Sequence, residues 1–115
     1  TQVSVWNTLI SLSVNEGYLY INSDDIVRIE ADGSYCTFYF SGGGKQIVSR
    51  NLKDFEEILA SRLFFRCHHS HIINLKRVKK FVRNDGPYVV MEDGSKVEIS
   101  RRKKDDFLAM MKQIS

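Results

Sequence analysis

The sequence predicts a mainly β domain in which short antiparallel strands are accompanied by two helices. Short apolar and aromatic segments are separated by turn residues about every ten residues, and only two segments show the spacing of an amphipathic helix. The length of 115 residues suits a single domain. With 43% hydrophobic and 27% charged residues, the composition excludes a disordered or collagen-like chain.

Five strands are predicted in the first half of the chain, at residues 9–14, 18–21, 26–29, 35–40 and 46–48. The first of them alternates apolar and polar side chains, which is typical of a half-buried strand. The fourth places Tyr35, Thr37 and Tyr39 on one face and the intervening residues on the other. Glycine-containing turns are predicted at 15–17, 31–33 and 42–44.

A helix and five further strands are predicted next. Ser49 or Asn51 caps the helix, whose apolar face consists of Leu52, Phe55, Ile58 and Leu59. The strands lie at 64–67, 71–74, 78–83, 88–91 and 96–99. Turn residues at 84–87 and 92–95 join the last three strands as hairpins. Because these connections are too short for crossovers, the strands are expected to pair antiparallel.

The second helix is predicted from Arg101 to about residue 114, with Ser100 as its cap. Its apolar stripe consists of Phe107, Leu108, Met111 and Ile114. At the other end of the chain, residues 1–8 contain no strong periodic signal. They are interpreted as the remnant of a linker from a longer protein, which leaves residues 9–115 as the domain.

The net charge of +3 conceals an uneven distribution of charge. Residues 58–84 contain no Asp or Glu, and a second basic block follows at 101–104. The cations of the acid-free run are Arg62, Arg66, Lys76, Arg77, Lys79, Lys80 and Arg83. A single run of this kind is as easily explained as a solvated face. Two runs predict a one-sided positive field, which attracts phosphate backbones.

Four consecutive cations, Arg101 to Lys104, precede the acids Asp105 and Asp106 at the predicted start of the last helix. A helix N-terminus carries roughly half a positive charge and favours acids in its first turn, so each cation there costs a few tenths of a kcal/mol, up to about 1 kcal/mol. Breaking this local rule points to a function served at the site. A DNA phosphate bound there would meet free backbone N–H groups and basic side chains. The alternative is that these cations are simply solvent-exposed at the end of the helix and bind nothing.

The histidine-rich segment 64–75 offers several ligand types but an unsuitable spacing for a metal. Neighbours on an extended segment point to opposite faces, so His68 and His69 do not converge on one ion. Hydrogen bonds to bases or phosphates suit His68, His69, Ser70 and Asn74 better. The turn at residues 32–35 supplies a possible third contact. Half-buried packing of His68 and His71 is an equal alternative to direct contact.

No catalytic or cofactor-binding motif is recognised. Cys67 and His68 are adjacent in sequence, whereas a nucleophile and its base normally meet through the fold. The glycines at 42–44 lack the residues that complete a phosphate-binding loop. We therefore expect no enzyme activity, no cofactor and no metal. Two Cys are too few for a disulfide scaffold, so we expect packing roles for Cys36 and Cys67 and a cytoplasmic location. Because there is no long apolar run and no leader, we also expect no membrane contact.

Several motifs occur in order through nearly the whole chain after about Leu9. They are Asp25-Ile26-Val27-Arg28-Ile29-Glu30 with Tyr35, Leu52-Lys53-Asp54-Phe55, Phe65-Arg66-Cys67-His68-His69-Ser70-His71-Ile72-Ile73-Asn74-Leu75, Val78, Asp93-Gly94 and Ile99-Ser100-Arg101-Arg102. In this order and spacing they resemble the LytTR DNA-binding domain, the output module of many bacterial response regulators. The resemblance implies several short antiparallel sheets side by side in an elongated domain, with one helix packed on them and a C-terminal helix.

Members of this family insert loop residues into successive major grooves. By residue match, the resemblance implies base contacts from Tyr35, His69 and Arg101, of which the Arg suits bidentate contact with guanine. Many members carry Asn or Lys at the position of His69, so a different base preference is expected. The further candidates for backbone contact or loop positioning are His68, Ser70, Asn74, Lys76, Lys79, Lys80, Arg102 and Lys103.

The sequence therefore predicts a sequence-specific, double-stranded DNA-binding domain of a bacterial transcriptional regulator, as the output domain of a two-component response regulator. It is expected to bind promoter direct repeats as a dimer or tandem pair, with an N-terminal regulatory domain outside this chain. The alternative is a protein–protein interaction module whose basic face docks an acidic partner.

Overall fold

A computed structural model describes residues 9–60 and 63–114, which form ten strands and two α-helices. The strands are β1 (Leu9–Val14), β2 (Gly17–Asn22), β3 (Ile26–Asp32), β4 (Tyr35–Phe40), β5 (Lys45–Val48), β6 (Phe64–His68), β7 (His71–Asn74), β8 (Val78–Val82), β9 (Tyr88–Met91) and β10 (Lys96–Glu98). The helices are α1 (Leu52–Ile58) and α2 (Lys104–Ile114). The predicted linker at residues 1–8 lies outside the described residues.

The strands form three antiparallel sheets, which confirms the predicted fold class. β1 and β2 form a hairpin, the central sheet has the order β5-β4-β3-β7-β6, and the third sheet has the order β10-β9-β8. Every pairing is antiparallel. The described part measures 44 × 37 × 25 Å. No helix within it is long and apolar enough to cross a membrane.

The central sheet is buried on both faces. On β7, Ile72 belongs to a core shared with α1 and the β1–β2 hairpin, whereas the next residue, Ile73, belongs to a second core shared with α2 and the third sheet. β3 behaves in the same way, with Ile26 in the first core and the next residue, Val27, in the second. Because successive side chains of a strand point to opposite faces, a short apolar run serves both cores.

Helix α1 packs on the first core as predicted. Of the two candidate caps, Asn51 is the one used, since its side chain accepts a hydrogen bond of 3.0 Å from the N–H of Asp54. Leu52, Phe55 and Leu59 are buried. The ring of Phe55 meets Phe38 of β4 edge to face, with centroids 4.8 Å apart, which is a favourable aromatic geometry.

The start of the second helix differs from the prediction. Arg101–Lys103 form a separate 3₁₀ turn, α2 begins at Lys104, and the Ser100 side chain makes no capping hydrogen bond. Sequence periodicity does not distinguish a 3₁₀ turn from a first α-helical turn, because both leave the same residues at a helix end.

The apolar stripe of α2 also differs from the prediction, at Leu108 and Met110, and the side chain of the predicted Ile114 lies outside what the structure describes. Phe107 is buried, and Met110 and Met111 pack against the second core. Leu108 was predicted to lie in this stripe but is 37% exposed. Positions 107, 110 and 111 share the face with the i, i+3, i+4 spacing, and residue 108 lies about 100° away from 107 around the helix.

We predict that truncating Phe107 strongly destabilises the domain. Its ring lies 6.0 Å from Phe65 of β6 and 5.7 Å from Phe81 of β8, so it joins α2 to two sheets. Phe107→Ala is expected to lower the free energy of unfolding by about 3–5 kcal/mol. Leu108→Ala, on the same helix, is expected to change it by less than about 1 kcal/mol. Urea denaturation compares the two, and equal losses would contradict the assigned helix face.

Candidate functional site

Two turns that carry predicted site residues lie at the same end of the central sheet. The β3–β4 turn is closed by the pair Asp32 and Tyr35, and Gly33 in it adopts a φ of 62° that favours glycine. The β6–β7 turn contains His69 and Ser70. The N–H of Ala31 donates a 2.8 Å hydrogen bond to the carbonyl of Ser70, which joins the two turns.

The 3₁₀ turn Arg101–Lys103 lies next to β6 at this end of the sheet. The N–H of Ser100 donates a 2.8 Å hydrogen bond to the carbonyl of Cys67, near the end of β6. Since β4, β3, β7 and β6 are successive neighbours about 4.8 Å apart, the segments that carry Tyr35, His69 and Arg101 follow one another along the sheet end. The fold thus places three predicted positions that are far apart in sequence at one end of the central sheet.

Arg66 holds the backbone of the histidine turn. Its Nη2 donates a 2.7 Å hydrogen bond to the carbonyl of His69, and its Nη1 lies 3.0 Å from a carboxylate oxygen of Glu56 on α1. The His69 side chain is exposed, and its ring lies 4.2 Å from the ring of His68, measured between centroids. The turn is therefore anchored through its backbone while one imidazole faces solvent.

His68 and His71 are half-buried, with 20% and 17% of their side chains exposed. Nδ1 of His68 lies 3.0 Å from the Ser70 hydroxyl and accepts a second, 3.3 Å hydrogen bond from the Ser70 N–H. Of the two alternatives predicted for His68 and His71, their burial favours packing. The predicted loop-positioning role of Ser70 agrees with these contacts.

A cleft of about 430 Å³ opens between the histidine turn and the 3₁₀ turn. Its lining residues are Glu56, Arg66, His68, His69, Ser100, Arg102 and Lys103. Three permanent cations therefore face one carboxylate, and that carboxylate is paired with Arg66. Within residues 9–60 and 63–114, neither Arg102 nor Lys103 has an ion-pair partner within 4 Å, so the cleft carries uncompensated positive charge.

Arg101 is exposed beside this cleft, and its side chain has no ion-pair or hydrogen-bond partner among the described residues. Because α2 begins at Lys104, its first turn contains Asp105 and Asp106, which is the arrangement that the helix dipole favours. Of the four cations predicted to break the dipole rule, Arg101–Lys103 lie in the 3₁₀ turn before the helix, so the prediction is wrong for these three, and only Lys104 is in the first turn of α2.

Tyr35 is 54% exposed but lies in a different cleft. This second cleft, of about 520 Å³, is lined by the β1–β2 turn and by residues of β5 and its C-terminal continuation. Glu16 is its acidic residue. The structure therefore separates Tyr35 from the basic cleft that contains His69.

The acid-free sequence run does not form an acid-free surface. Lys76 Nζ lies 3.0 Å from a carboxylate oxygen of Asp24. Arg77 pairs with Glu92 and donates two further hydrogen bonds, of 2.9 and 2.7 Å, to the carbonyl of Asp24. Tertiary structure thus neutralises cations that have no acid near them in sequence.

Three other candidates on this run have different environments. Asn74 is 1% exposed. Its amide donates a 2.9 Å hydrogen bond to the carbonyl of Ile26, and its oxygen accepts one of 3.0 Å from the N–H of Lys76. Asn74 is therefore placed to position the chain between β7 and β8 and not to contact a ligand directly. Lys79 and Lys80 on β8 are exposed and unpaired among the described residues.

Three polar residues of this region were missed as site candidates: Arg66, Arg28 and Glu98. Arg28 on β3 lies 3.1 Å from Glu30 and 3.4 Å from a ring nitrogen of His71. Glu98 on β10 lies 3.7 Å from Nε2 of His68. Arg66 and Arg28 stand inside the sequence motifs, and a charged residue within an apolar strand was the available signal. Glu98 had no such signal, because only the packing of the third sheet brings it to His68.

Both cysteines are buried and unpaired, as the packing prediction requires. Burial raises the pKa of the Cys67 thiol to about 12, so the thiol is protonated at neutral pH. Its Sγ donates a long hydrogen bond of 3.9 Å to the carbonyl of His71. Cys67 therefore faces the second core and does not form a thiolate pair with the neighbouring His68. In the described part of the chain, no three His, Cys, Asp or Glu side chains converge as a metal site.

Comparison with protein families connects this geometry to a known domain. A family model described as the LytTr DNA-binding domain matches residues 16–112. The fold is similar, with a TM-score of 0.74 and 20% identity, to a LytTr DNA-binding domain of a putative methyl-accepting/DNA response regulator from Bacillus cereus. That match covers 90% of this chain and 96% of the other.

Two curated proteins of Paraburkholderia xenovorans (strain LB400) are similar in sequence. They are the heme-containing CO-sensing transcriptional regulators RcoM 1 and RcoM 2, 29% and 30% identical to this chain over 82 residues. These residues make up 70% of this chain, which spans about 30% of the length of each relative.

We predict that His71 makes the stability of the domain depend on pH. Burial lowers the pKa of His71 below its usual value near 6.5, Glu30 opposes this shift, and Arg28, His68 and His69 add to it. The unfolded state then binds more protons than the folded state below about pH 6.5, so the free energy of unfolding falls as pH falls through that range.

His71→Gln removes this titration and is expected to flatten that fall between about pH 7 and 5. Urea denaturation over this range tests the prediction. At about pH 8 the imidazole is neutral in both states, so the difference between variant and wild type measured there is the pH-independent cost of the substitution. If the two proteins show parallel pH profiles, His71 does not titrate differently on folding.

Proposed function

Because the chain belongs to the LytTr DNA-binding domain family, we propose that it binds double-stranded DNA sequence-specifically and acts, without catalysis, in bacterial transcription regulation. The basic cleft beside the histidine turn carries this proposal. Among the described residues its Arg102 and Lys103 have no ion-pair partner, and the cleft adjoins an exposed Arg101 and an exposed His69. Such a site offers charge to phosphates and donors to base edges at once.

In this proposal, phosphate contacts come from Arg102 and Lys103 in the cleft. Phosphates release counterions when cations approach them, which supplies affinity without sequence preference. Lys79 and Lys80 are proposed as further phosphate contacts because they are exposed and unpaired among the described residues. Lys76, Asn74, His68 and Ser70 are assigned positioning roles, since each is engaged in contacts within the domain.

Base contacts are proposed for His69 and Arg101. A guanidinium donates two hydrogen bonds to O6 and N7 of guanine in the major groove, and Arg101 has no competing partner among the described residues. The imidazole of His69 both donates and accepts hydrogen bonds. Tyr35 is kept as a third candidate, since its turn lies at the same end of the sheet.

The setting of the domain is proposed by analogy with its relatives. Both curated relatives are transcriptional regulators much longer than this chain, and the Bacillus cereus protein is described as a putative response regulator. We propose that this domain is likewise the output part of a regulator, with residues 1–8 as the linker to a regulatory domain. It would act in the cytoplasm, without membrane contact, on promoter direct repeats as a dimer or tandem pair.

We predict that Arg101→Ala impairs recognition of one base pair. Selection of binding sites from random duplex DNA first supplies the preferred site. Loss of a bidentate contact is then expected to cost about 1–3 kcal/mol of binding free energy on that site and to relax the preference at one position. Lys104→Ala, which removes a neighbouring exposed cation, is the matched control and should leave base preference intact.

Titrations of duplexes substituted at each position provide the measurement. An Arg101→Ala variant with unchanged preferences would exclude base contact by Arg101. Salt-dependent binding to acidic proteins, together with no enrichment of any duplex sequence, would favour the alternative of a protein-docking module and contradict the proposed function.

We predict a different effect for Lys79→Ala, because phosphate contacts carry no sequence information. Affinity should fall alike for all duplexes, and the slope of log K against log salt concentration should decrease in magnitude by about 1. Lys45→Ala is the control. Lys45 is the backbone register partner of Tyr39 in the β4–β5 ladder, and it therefore lies at the opposite end of β4 from Tyr35. An unchanged salt slope for Lys79→Ala would place Lys79 outside the DNA contact.

A further inference from the structure

A continuous line of polar side chains runs behind the histidine turn. Nη1 of Arg28 lies 3.4 Å from Nε2 of His71, and Nδ1 of His71 lies 3.3 Å from the hydroxyl oxygen of Ser70. That oxygen lies 3.0 Å from Nδ1 of His68, whose Nε2 lies 3.7 Å from a carboxylate oxygen of Glu98. We call these five residues the relay; they come from β3, β7, the turn, β6 and β10.

The chemistry of the groups sets one direction for the hydrogen bonds. A guanidinium only donates, so Nε2 of His71 accepts and the proton of this neutral imidazole is on Nδ1. That Nδ1–H donates to the Ser70 hydroxyl, which then donates its own proton to Nδ1 of His68. The Ser70 backbone N–H donates to the same His68 nitrogen, so the His68 proton is on Nε2 and faces Glu98.

The opposite pair of tautomers leaves two conflicts. An Nε2–H on His71 would face the N–H groups of Arg28 at 3.4 Å, and its carboxylate alternative, Glu30, is 3.8 Å away, beyond normal hydrogen-bond distance. An Nδ1–H on His68 would face the N–H of Ser70 at 3.3 Å. Donor facing donor in a half-buried site is unfavourable, so a single pair of tautomers avoids both conflicts.

We propose that Arg28, His71 and Ser70 are positioning residues, which hold His68 as its Nε2–H tautomer and thereby fix the turn that presents His69. The proposal rests on the proposed DNA-binding function. The ring of His68 packs on that of His69 and forms a wall of the basic cleft. Its Nε2–H faces a carboxylate oxygen of Glu98 on β10 at 3.7 Å, and Glu98 lies two residues before Ser100. Because only 15% of its side chain is exposed, Arg28 acts on recognition through these other residues and not by contacting DNA itself.

The tautomers themselves provide a test that does not involve DNA. Long-range ¹H–¹⁵N NMR of the imidazoles at neutral pH, on the whole chain, distinguishes which ring nitrogen is protonated. The expected result is Nδ1–H for His71 and Nε2–H for His68. An Nε2–H tautomer at His71, or rapid averaging at either ring, would overturn the relay.

Variants then connect the tautomers to binding. Arg28→Leu removes the donor, whereas Arg28→Gln retains an amide donor. Arg28→Leu is expected to lose the Nδ1–H preference of His71 and to bind the selected duplex about five- to tenfold more weakly, with Arg28→Gln intermediate. Affinity for unselected duplex should change little in comparison. Arg50→Leu is the matched control, because Arg50 pairs with Asp54 outside the relay.

A second pair of variants keeps the test decisive if Arg28→Leu does not fold. Ser70→Ala removes the hydroxyl, and Ser70→Thr restores it. The relay requires that Ser70→Ala alters both tautomers and that Ser70→Thr recovers them together with affinity. Altered tautomers with unchanged affinity for the selected duplex would refute positioning but leave DNA binding intact. Failure to select any duplex would refute the proposed function. The tautomer measurement does not involve DNA, so it would still decide whether the relay exists.

Discussion

The two-sided burial of the central sheet is the constraint on which the rest of the domain depends. Ile72 and Ile73 are neighbours in sequence but belong to different cores, so the sheet is stable only when both faces are covered. The β1–β2 hairpin with α1 covers one face, and the third sheet with α2 covers the other. Burying apolar area contributes roughly 25 cal/mol per Å², which makes this covering the main source of stability.

The same covering creates the candidate site. α2 and the third sheet pack on one face of the sheet, which brings the Arg101–Lys103 turn beside the end of β6, where Ser100 bonds to Cys67. α1 packs on the other face and supplies Glu56 to Arg66. The basic cleft therefore lies where elements from both cores meet. Function is thus proposed for a loop cluster that a rigid scaffold positions.

Charge illustrates how folding changes the meaning of a sequence pattern. The run at 58–84 has no acid of its own, yet Asp24, Glu56 and Glu92 neutralise three of its cations. Within the part of the chain that the structure describes, cations without an ion-pair partner include those at 101–103 and Lys79 and Lys80 on β8. Partnering between distant segments, and not the length of a basic run, decides which cations are available to a phosphate.

The sequence by itself determined the strands, their antiparallel pairing, the first helix and the family, because alternation, turn residues and motif order are local properties. It also predicted His69 and Arg101 as candidates for base contact, because they stand inside those motifs. Only tertiary structure decided that Arg101–Lys103 form a 3₁₀ turn, that Leu108 is exposed, that Asn74 is buried, and that Tyr35 lies in another cleft. Only tertiary structure, too, placed Arg28 next to His71 and Glu98 next to His68. These outcomes depend on which distant elements pack together, and no local pattern of residues encodes that.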